Sequence, residues 1–592
     1  MTSEVNPDET TAVIDETPNH HAKQRSIGSA MRRVMAPFWT MQSSRKAWVA
    51  VMFILASMAV EATLGVQITK LNGELSGQFV SRNEQEILRV AGHYFLFVCI
   101  MTANFVLFEW LRQSIMIDWR KWLVGRFQSR WLDNANFYRM ERQGGADNPD
   151  QRIADDTYQL VDHSTLLFTT VGKDLMRLVG YATVLLSLGG ALDLRFLGVS
   201  WVVPGGTFLL ALVISIVVTA LGFAIGRPLV GLSVAQQRKD ADLRFALAAM
   251  RSNAEQIALY RGEGAELQRT SRLLAPIADN WHRIIRFQVR LVGFQSGFQS
   301  LLVLSMPLVG IQAYLNGSLS FANLYVVGFA FMMVINGFTT LLNLAASGEY
   351  YRWASAVHRL DAFDIELGKP EARGIALTER QSVTGGPLLE TSGLQLARPD
   401  GTALAAPGDL AFRAGERWLV RGESGVGKSM MMRAIAGLWP HGSGSVSFNA
   451  QTRARTLFLP QKSYVPTGTL IDALSYPAPH GSFTHEQCRQ VLRWVHLEGL
   501  TEKLDTTAVW QQQLSPGEQQ RLAFARVFLH APEVVLLDEA TSALDPTNET
   551  RLYALLDEKL PDALVISIAH RDALEAFHSR SVRLTAASQV LA

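Results

Sequence analysis

Six long apolar stretches constrain this chain more strongly than any other feature of its sequence. A helix needs about 20 apolar residues to cross roughly 30 Å of hydrocarbon, and all six stretches come close to that length. We therefore predict a membrane-embedded bundle of six α-helices in the N-terminal part of the chain. The predicted spans are Ala47–Ile68, Val90–Leu111, Leu175–Leu192, Gly205–Ile225, Phe294–Leu315 and Leu324–Leu344.

The composition of the 592-residue chain agrees with a protein that is partly embedded in a membrane. Charged residues make up 18% of the chain, whereas soluble proteins usually carry about 25%. The chain is too long for one hydrophobic core, so at least two domains are expected. A net charge of +2 gives no general signal for binding nucleic acid, and no nucleic-acid partner is predicted. The two cysteines, Cys99 and Cys488, are expected to be unpaired thiols.

The charges of the loops predict on which side of the membrane each loop lies. The segments 112–173 and 227–290 are rich in Arg and Lys, whereas the loop Asn316–Asn323 carries no charge. Because basic loops stay on the cytoplasmic side, both long loops and both termini are predicted to be cytoplasmic. Apolar residues recur every three to four positions in the long loops, which predicts that membrane helices continue into the cytoplasm.

Changes of composition along the chain predict four segments. Residues 1–45 are polar and then basic without a signal-peptide pattern, and they are predicted to form a cytoplasmic tail. The helical membrane domain follows at 46–365, and Pro and Gly thin the pattern at 366–386, which we interpret as a linker. Residues 387–592 combine apolar strand patterns with helices and are predicted to form a soluble α/β domain.

The α/β domain carries a pattern that holds phosphate groups. An apolar strand, a Gly-rich turn and a helix follow one another in RWLVRGESGVGKSMMMRAIAGLW. The turn fits G-x-x-x-x-G-K-S, in which backbone N–H groups and a helix N-terminus surround phosphate oxygens. We expect Lys428 to contact the β- and γ-phosphates of ATP and Ser429 to bind Mg²⁺. The residues of the loop are Gly422, Glu423, Ser424, Gly425, Val426, Gly427, Lys428 and Ser429.

Two later strand patterns end in residues suited to ATP hydrolysis. The run VVLLD is apolar without polar alternation, as in the core of a parallel sheet, and it ends at Asp538 before Glu539. We expect Asp538 beside the metal ion and Glu539 beside the γ-phosphate, where a carboxylate orients and deprotonates the attacking water. A third strand pattern, ALVISIAH, ends at His570, for which we predict a contact with the γ-phosphate.

The stretch QQQLSPGEQQRLAFAR places the domain in a known family. Its segment Ser515-Pro516-Gly517-Glu518-Gln519 resembles the signature sequence of ATP-binding cassette (ABC) proteins, and all six motifs of that family occur in family order. Two further motifs complete the resemblance: Gln461 in FLPQKSYVPTGTL resembles the Q-loop, and Ser542-Ala543-Leu544-Asp545 resembles the D-loop.

This resemblance implies how the ATP site is built. In ABC proteins the signature residues, here Ser515 and Gly517, face ATP held by the opposite subunit, so that a second chain completes each site. Gln461 is implied to contact the nucleotide and Mg²⁺, and Asp545 is implied to contact the nucleotide. Because this chain has one cassette and one membrane domain, we expect it to form a homodimer.

Two positions depart from the family pattern. Pro516 stands where most signatures have Gly, which removes a flexible φ angle but no side-chain donor. The aromatic residue that usually stacks on adenine is absent, and the stretch LQLARPDGTAL offers Leu396, Ala397, Arg398 and Pro399 in its place. Contact with adenine through apolar packing or through Arg398 is our hypothesis.

Stretches in the membrane half resemble one subgroup of the ABC proteins. The stretches DNPDQRIADD, AIGRPLVGLSVAQQRKDADLRFAL and RSNAEQIALYRGE resemble the SbmA/BacA peptide importers and the peroxisomal fatty-acyl transporters of subfamily D, and most of all bacterial BacA-like proteins with a fused cassette. This implies an exporter-type fold in a bacterial inner membrane that imports large hydrophilic compounds such as peptides or cobalamin. Two alternatives stay open: an exporter of lipid, fatty acyl-CoA or drug, and an ATP-gated regulator or channel. A regulator or channel gate can dispense with the catalytic base, so the intact Glu539 and His570 argue against the second alternative.

Polar residues within the spans predict a transport cavity. Intramembrane charged residues are usually functional, so Glu61 in the first span is assigned to the cavity or to proton transfer. Glu109 lies near the end of the second span and is assigned to the cavity or to the cytoplasmic interface. Amides in the last two spans suit a large polar substrate, and they equally suit hydrogen bonds between helices. These amides are Gln295, Gln299, Asn336 and Asn343.

Overall fold

The computed structural model of the chain forms two compact units, Met1–Gly368 and Lys369–Ala592. The described residues of the N-terminal unit are almost wholly helical, and those of the C-terminal unit combine two larger β-sheets with helices. The structure describes residues 26–41, 45–143, 148–189, 192–193, 202–346, 348–371, 373–381, 385–569 and 571–586.

Long helices build the N-terminal unit, because the membrane helices continue through the amphipathic segments between the predicted spans. A short antiparallel pair, β1 (Leu192–Asp193) and β2 (Val202–Val203), lies in sequence between two of these helices. The helices are α1 (Ile27–Val34), α2 (Ala36–Thr40), α3 (Arg45–Ser81), α4 (Glu84–Leu132), α5 (Asn136–Arg142), α6 (Pro149–Gln151), α7 (Thr157–Leu188), α8 (Gly206–Ser252), α9 (Ala254–Tyr260), α10 (Glu263–Leu308), α11 (Ile311–Leu315), α12 (Phe321–Ala346) and α13 (Gly348–Leu367).

Five helical stretches among the described residues are long and apolar enough to cross a membrane. They overlap five of the six predicted spans and are Arg45–Ser81, Glu84–Arg142, Gly206–Ser252, Glu263–Leu315 and Phe321–Thr340. The third predicted span, Leu175–Leu192, is the exception, and most of it lies in α7. That helix packs beside α3, with Gly172 against Met58 and Gly180 against Val66. Lys173, Asp174 and Arg177 lie in this part of α7, and these charges make it less apolar than the other five stretches.

Part of the predicted N-terminal tail, 1–45, is folded onto the helical unit. Helices α1 and α2 bury Ala30, Val34 and Phe38 in one cluster with Trp119 of α4. The Phe38 and Trp119 rings stack with their centroids 5.8 Å apart. The apolar residues of α1 share one face of the helix, which explains why this segment packs although the tail is polar on average.

Asp156 holds the end of the membrane unit together. It closes a short π-helical turn, Arg152–Asp156, and only 1% of its surface is exposed. Its carboxylate accepts hydrogen bonds from Arg359 Nε at 2.8 Å, from Arg359 Nη2 at 2.6 Å and from Arg152 Nη1 at 2.9 Å. Because Arg359 belongs to α13, this ion pair fixes the last helix of the unit against the DNPDQRIADD segment.

The C-terminal unit is an α/β fold, which confirms the predicted class. Its strands are β3 (Ala376–Arg380), β4 (Leu389–Ala397), β5 (Ala403–Phe412), β6 (Arg417–Arg421), β7 (Gly442–Asn449), β8 (Thr456–Leu459), β9 (Gly468–Thr469), β10 (Thr507–Ala508), β11 (Val534–Asp538), β12 (Leu564–Ile568) and β13 (Arg580–Arg583). Its helices are α14 (Lys428–Ile435), α15 (Leu470–Ser475), α16 (His485–Trp494), α17 (Trp510–Gln513), α18 (Pro516–His530) and α19 (Pro546–Lys559).

One sheet of this unit is parallel and the other is mostly antiparallel. The parallel sheet has the order β13-β6-β12-β11-β8, and every neighbouring pair in it is parallel. All residues of β11 and β12 are buried, and the unbroken apolar run Val534–Leu537 in β11 predicts this burial. The second sheet has the order β3-β7-β4-β5, in which β4 is antiparallel to both of its neighbours.

The predicted linker, 366–386, is shorter than expected. Its first residues still belong to α13, and Ala376–Arg380 within it forms the edge strand β3, with Ala376 opposite Ser445 of β7. A five-residue strand between Gly- and Pro-containing segments has too little pattern to be recognised from the sequence. Its pairing with β7, 69 residues later in the chain, stabilises it.

We expect Asp156→Asn to destabilise the membrane unit. The amide keeps the shape but removes the charge that offsets Arg152 and Arg359. Breaking a buried ion pair costs about 3–5 kcal/mol, and the partial exposure of Arg359 should reduce this to about 2 kcal/mol. Thermal unfolding in detergent, followed by tryptophan fluorescence, measures the loss. Glu86→Gln, which removes an exposed pair with Arg89, is the control, and equal shifts of Tm from both substitutions would contradict the assignment.

Candidate functional site

The Gly-rich loop connects β6 to α14, as the sequence predicts. Gly422 has a φ of 149° and Gly427 a φ of 105°, conformations that L side chains rarely adopt. Lys428 Nζ donates to the carbonyl oxygens of Gly422 at 2.8 Å and Glu423 at 3.2 Å. The ammonium group is therefore held at the backbone of the loop. Of the remaining loop residues, Ser424 and Gly425 are exposed and Val426 is buried.

Ser429 and Asp538 meet at the carboxyl edge of the parallel sheet. Ser429 Oγ donates to Asp538 Oδ1 at 2.9 Å, and Asp538 is the last residue of β11. Burial raises the pKa of Asp538, and the hydrogen bond from Ser429 opposes that shift. A hydroxyl beside a carboxylate offers the hard oxygen ligands that Mg²⁺ prefers, so these two predicted ligands fit the ion.

Glu539 has an unusual backbone conformation and contacts Gln461. Its φ of 50° lies in the left-handed region, which is uncommon for residues other than glycine. Its N–H donates to the carbonyl oxygen of Ile568 at 3.1 Å, at the end of the neighbouring strand β12. Gln461 Nε2 donates to Glu539 Oε2 at 2.8 Å. The predicted Q-loop and the predicted general base are thus in contact, whereas His570 lies outside the described residues.

Ser515 caps α18 through a reciprocal pair of hydrogen bonds with Glu518. Ser515 Oγ accepts from the Glu518 N–H at 3.3 Å, and Glu518 Oε2 accepts from the Ser515 N–H at 2.9 Å. The hydrogen bonds from Ser515 lower the pKa of Glu518. Pro516 occupies the first helical position, where its fixed φ and missing N–H are favourable. The departure from the family pattern at Pro516 therefore suits the start of this helix.

The D-loop packs against the signature. A Cβ on Gly517 would lie 3.3 Å from the carbonyl oxygen of Ala543, so a larger residue there would press on the D-loop. Asp545 caps α19, accepting from the Asn548 N–H at 3.0 Å and from Asn548 Nδ2 at 2.6 Å. These hydrogen bonds lower the pKa of Asp545. In this structure Asp545 is bonded within its own chain.

Gln520, which the sequence analysis did not single out, links three predicted motifs. It lies on α18 and is 4% exposed. Its Nε2 donates to Ser542 Oγ at 3.2 Å and to the Gln461 carbonyl oxygen at 3.5 Å, and its Oε1 accepts from the Ala543 N–H at 2.9 Å. One amide side chain therefore connects the signature helix with the Q-loop and the D-loop. The only signal in the sequence was its place in the helix that begins at the signature.

The residues considered for adenine lie in different surroundings. Leu396 is buried in the core of the C-terminal unit and has no surface for a base, so apolar packing through this residue was a wrong expectation. Arg398 and Pro399 are exposed. Leu404 on β5 was missed, although its side chain reaches within 2.9 Å of the place where a Cβ on Gly427 would stand. Leu404 is therefore an apolar neighbour of the phosphate loop.

The membrane unit contains a cavity of about 310 Å³ between α3, α4, α7 and α12. Glu61 lies in its wall and is 8% exposed. Arg177 Nη2 donates to Glu61 Oε1, and Lys173 Nζ lies 3.0 Å from Glu61 Oε2. Two cations of α7 therefore neutralise this carboxylate, a contact that was not predicted because Lys173 falls at the end of the predicted loop 112–173. Glu109 instead forms an ion pair with Arg112, one turn along its own helix.

The four predicted amides are not among the residues that form this cavity wall. Gln295 and Gln299 are exposed on α10, as their positions one turn apart allow. Asn336 is half-buried on α12, and the side chain of Asn343 lies outside the described residues. A charged cluster, rather than a set of amides, is thus the polar feature of the cavity.

The two units together define a class of protein. A bundle with apolar helices that can span a membrane is fused to an α/β domain with a phosphate loop, a metal-ligand pair and a signature helix, which is the composition of an ATP-driven transporter half. Residues 34–314 match the family described as ABC transporter transmembrane region 2, and residues 407–542 match the family described as ABC transporter.

Curated relatives agree over most of the chain. An uncharacterized ABC transporter ATP-binding protein of Synechocystis sp. is 31% identical over 511 residues, which cover 83% of this chain and 73% of the relative. The inner membrane ABC transporter ATP-binding protein YddA of Escherichia coli is 26% identical over 551 residues, which cover 91% of this chain and 94% of the relative. The lysosomal cobalamin transporter of Homo sapiens is 27% identical over 596 residues, which cover 93% of each chain. The chain belongs to the ABC transporter family; it binds ATP with Mg²⁺ and couples ATP hydrolysis to transport.

We expect Gln520→Ala to reduce ATP hydrolysis about tenfold while ATP binding stays close to normal. The substitution removes the partner of the Ala543 N–H and the link to Gln461, and each buried hydrogen bond is worth about 1 kcal/mol. Turnover and nucleotide affinity of the purified chain measure the effect. Gln512→Ala, at an exposed position before the signature, is the control. Unchanged turnover in Gln520→Ala, or an equal loss in the control, would show that the link does not matter.

Proposed function

We propose that this chain forms a homodimeric importer of large hydrophilic compounds, such as peptides or cobalamin, in a bacterial inner membrane. Residues 46–365 act as the transport domain and residues 387–592 as the ATP-hydrolysing cassette. Both termini lie in the cytoplasm, since the segments 112–173 and 227–290 are basic and basic loops stay on that side. The observation that carries the proposal is the ion-paired cluster around Glu61 in the membrane cavity, because a purely apolar cargo has no need of buried charges.

In this proposal the residues at the sheet edge share the work of hydrolysis. The backbone N–H groups of residues 422–429 and the Lys428 ammonium bind the phosphates of ATP. Glu539 takes the proton of the attacking water, and the amide of Gln461 fixes the orientation of its carboxylate. Mg²⁺ supplies charge stabilisation for the phosphate oxygens. Its protein ligands are Ser429, Asp538 and Gln461.

A second copy completes each ATP site. Ser515 is exposed at the start of α18, so its hydroxyl and a helix N-terminus are accessible to an anion from another molecule. Gly517 keeps the backbone of this turn open to close approach. Asp545 contacts the nucleotide in the dimer, and His570 contacts the γ-phosphate.

Two relatives support the membrane and the cargo. The Escherichia coli relative is named an inner membrane protein, and the human relative is named a cobalamin transporter. We therefore propose cobalamin as a cargo of this chain, and we include peptides because they are compounds of similar polarity. Export of lipid, fatty acyl-CoA or drug is the competing function, and the two differ in the direction of movement.

Two substitutions should separate ATP binding from hydrolysis. Lys428→Ala removes a phosphate contact and should weaken both. Glu539→Gln keeps the shape of the site but removes the base, so the protein should still bind ATP and accumulate as a closed dimer. Loss of a general base lowers the rate by roughly two to four powers of ten. Turnover and retained nucleotide are measured on the purified chain, and near-normal turnover of Glu539→Gln would refute the role of Glu539.

Transport by oriented vesicles tests the proposed direction and cargo. Right-side-out vesicles loaded with ATP should accumulate labelled peptide or cobalamin from the medium. Inside-out vesicles, which expose the cassette to added ATP, should lose the same label from their interior. Glu539→Gln vesicles are the control and should do neither. ATP-dependent movement in the opposite direction, or movement of lipid alone, would replace import with export.

A further inference from the structure

A half-exposed arginine lies in the wall of the membrane cavity beside apolar side chains. The side chain of Arg177 is 45% exposed, whereas that of its partner Glu61 is 10% exposed. Met101, Phe105 and Met333 belong to the same wall. Exposure of a guanidinium to lipid is costly, so the open side of Arg177 faces the cavity.

Arg177 has donors that its own protein partners do not use. A guanidinium carries five N–H groups, and within the described part of the chain its one hydrogen bond goes to Glu61. Asp174 Oδ1 lies 3.9 Å from Arg177 Nη1, which is too far for a hydrogen bond. Two parallel N–H donors on one cation match the two oxygens of a carboxylate.

Lys173 keeps Glu61 neutralised when Arg177 engages a ligand. Its Nζ is 3.0 Å from Glu61 Oε2 and 3.7 Å from the centre of the Phe108 ring, and a cation held over an aromatic face is stabilised there. Glu61 Oε2 has no aligned hydrogen bond among the described residues, so its pair with Lys173 is electrostatic. The cluster therefore has one cation that is anchored and one that is accessible.

We propose that Arg177 binds the carboxylate of the transported ligand, and in a peptide this is the C-terminal carboxylate. The last side chain of the peptide packs against Met101, Phe105 and Met333. A cavity of about 310 Å³ is at the lower end of the size of small-molecule sites, so it holds one end of a peptide. This inference rests on the proposed import of peptides. A fatty acid presents the same carboxylate, and the experiment below separates the two sources.

Binding of four probes to the full-length protein in lipid nanodiscs tests the proposal. The probes are a tripeptide ending in phenylalanine with a free carboxylate, the same tripeptide as its C-terminal amide, palmitate and palmitamide. We expect the free-acid peptide to bind roughly 10- to 100-fold more tightly than its amide, the range expected for hydrogen bonds to a charged group. Changing the ligand needs no variant, so a folding defect cannot produce or hide this result.

Three variants assign the effect to Arg177. Arg177→Gln should abolish the preference for the free acid, whereas Arg177→Lys, which keeps the charge, should retain part of it. Lys173 still neutralises Glu61 in both variants, so the thermal unfolding of each variant in detergent is measured as the check on its fold. Arg112→Gln is the matched control, because it removes an arginine paired with Glu109 outside this cavity wall, and it should leave the preference intact.

Each outcome has a separate meaning. Equal binding of the acid and the amide by the unmodified protein overturns the proposal, and so does a preference that survives Arg177→Gln. If only palmitate binds, with the same dependence on Arg177, the carboxylate site is supported and the import of peptides is not. If vesicles import the peptide and its amide equally well, the proposed function stands and the carboxylate site is refuted.

Discussion

The parallel sheet of the cassette determines where the phosphate loop, Asp538 and Glu539 lie. Because β6, β12, β11 and β8 all run in the same direction, their carboxyl ends open at one edge, where ligands of such sheets bind. The hydrogen bond from Ser429 to Asp538 joins the loop after β6 to the end of β11. The bond from the Glu539 N–H to Ile568 joins β11 to β12. Gln461 and Gln520 then attach the remaining loops to this edge.

Buried charges organise the membrane unit in a comparable way. A charge removed from water is stable only with partners close by. The unit contains two clusters that meet this condition, one around Asp156 and one around Glu61. Asp156 binds two arginines and fixes α13, while Glu61 binds two cations of α7 beside the cavity. In the first cluster the Arg359 side chain is 33% exposed, and in the second the Arg177 side chain is 45% exposed. Only the second cluster lies in the wall of the cavity, which is why we assign structure to the first and ligand binding to the second.

The sequence predicted best where a local pattern implies a local geometry. The phosphate loop, the buried strands β11 and β12 and most apolar spans follow from short segments, and the structure has them. The sequence was a poor guide to contacts between segments that lie far apart along the chain. Nothing in the spacing brings Lys173 and Arg177 to Glu61, because that contact depends on the register between α3 and α7. The bridging position of Gln520 and the pairing of β3 with β7 were missed for the same reason.

The ATP site that we propose is shared by two copies of the chain. Tagged chains allow a mixed dimer of Lys428→Ala with Gly517→Asp to be purified, and ATP hydrolysis by that dimer is the direct measurement. If the signature serves the partner's ATP, both lesions fall in one site, and the other site should hydrolyse ATP although neither parent dimer does. Each parent is first checked for folding, and Gly517→Asp for ATP binding. A mixed dimer as inactive as its parents would contradict the claim, because each site would then carry one lesion of its own chain.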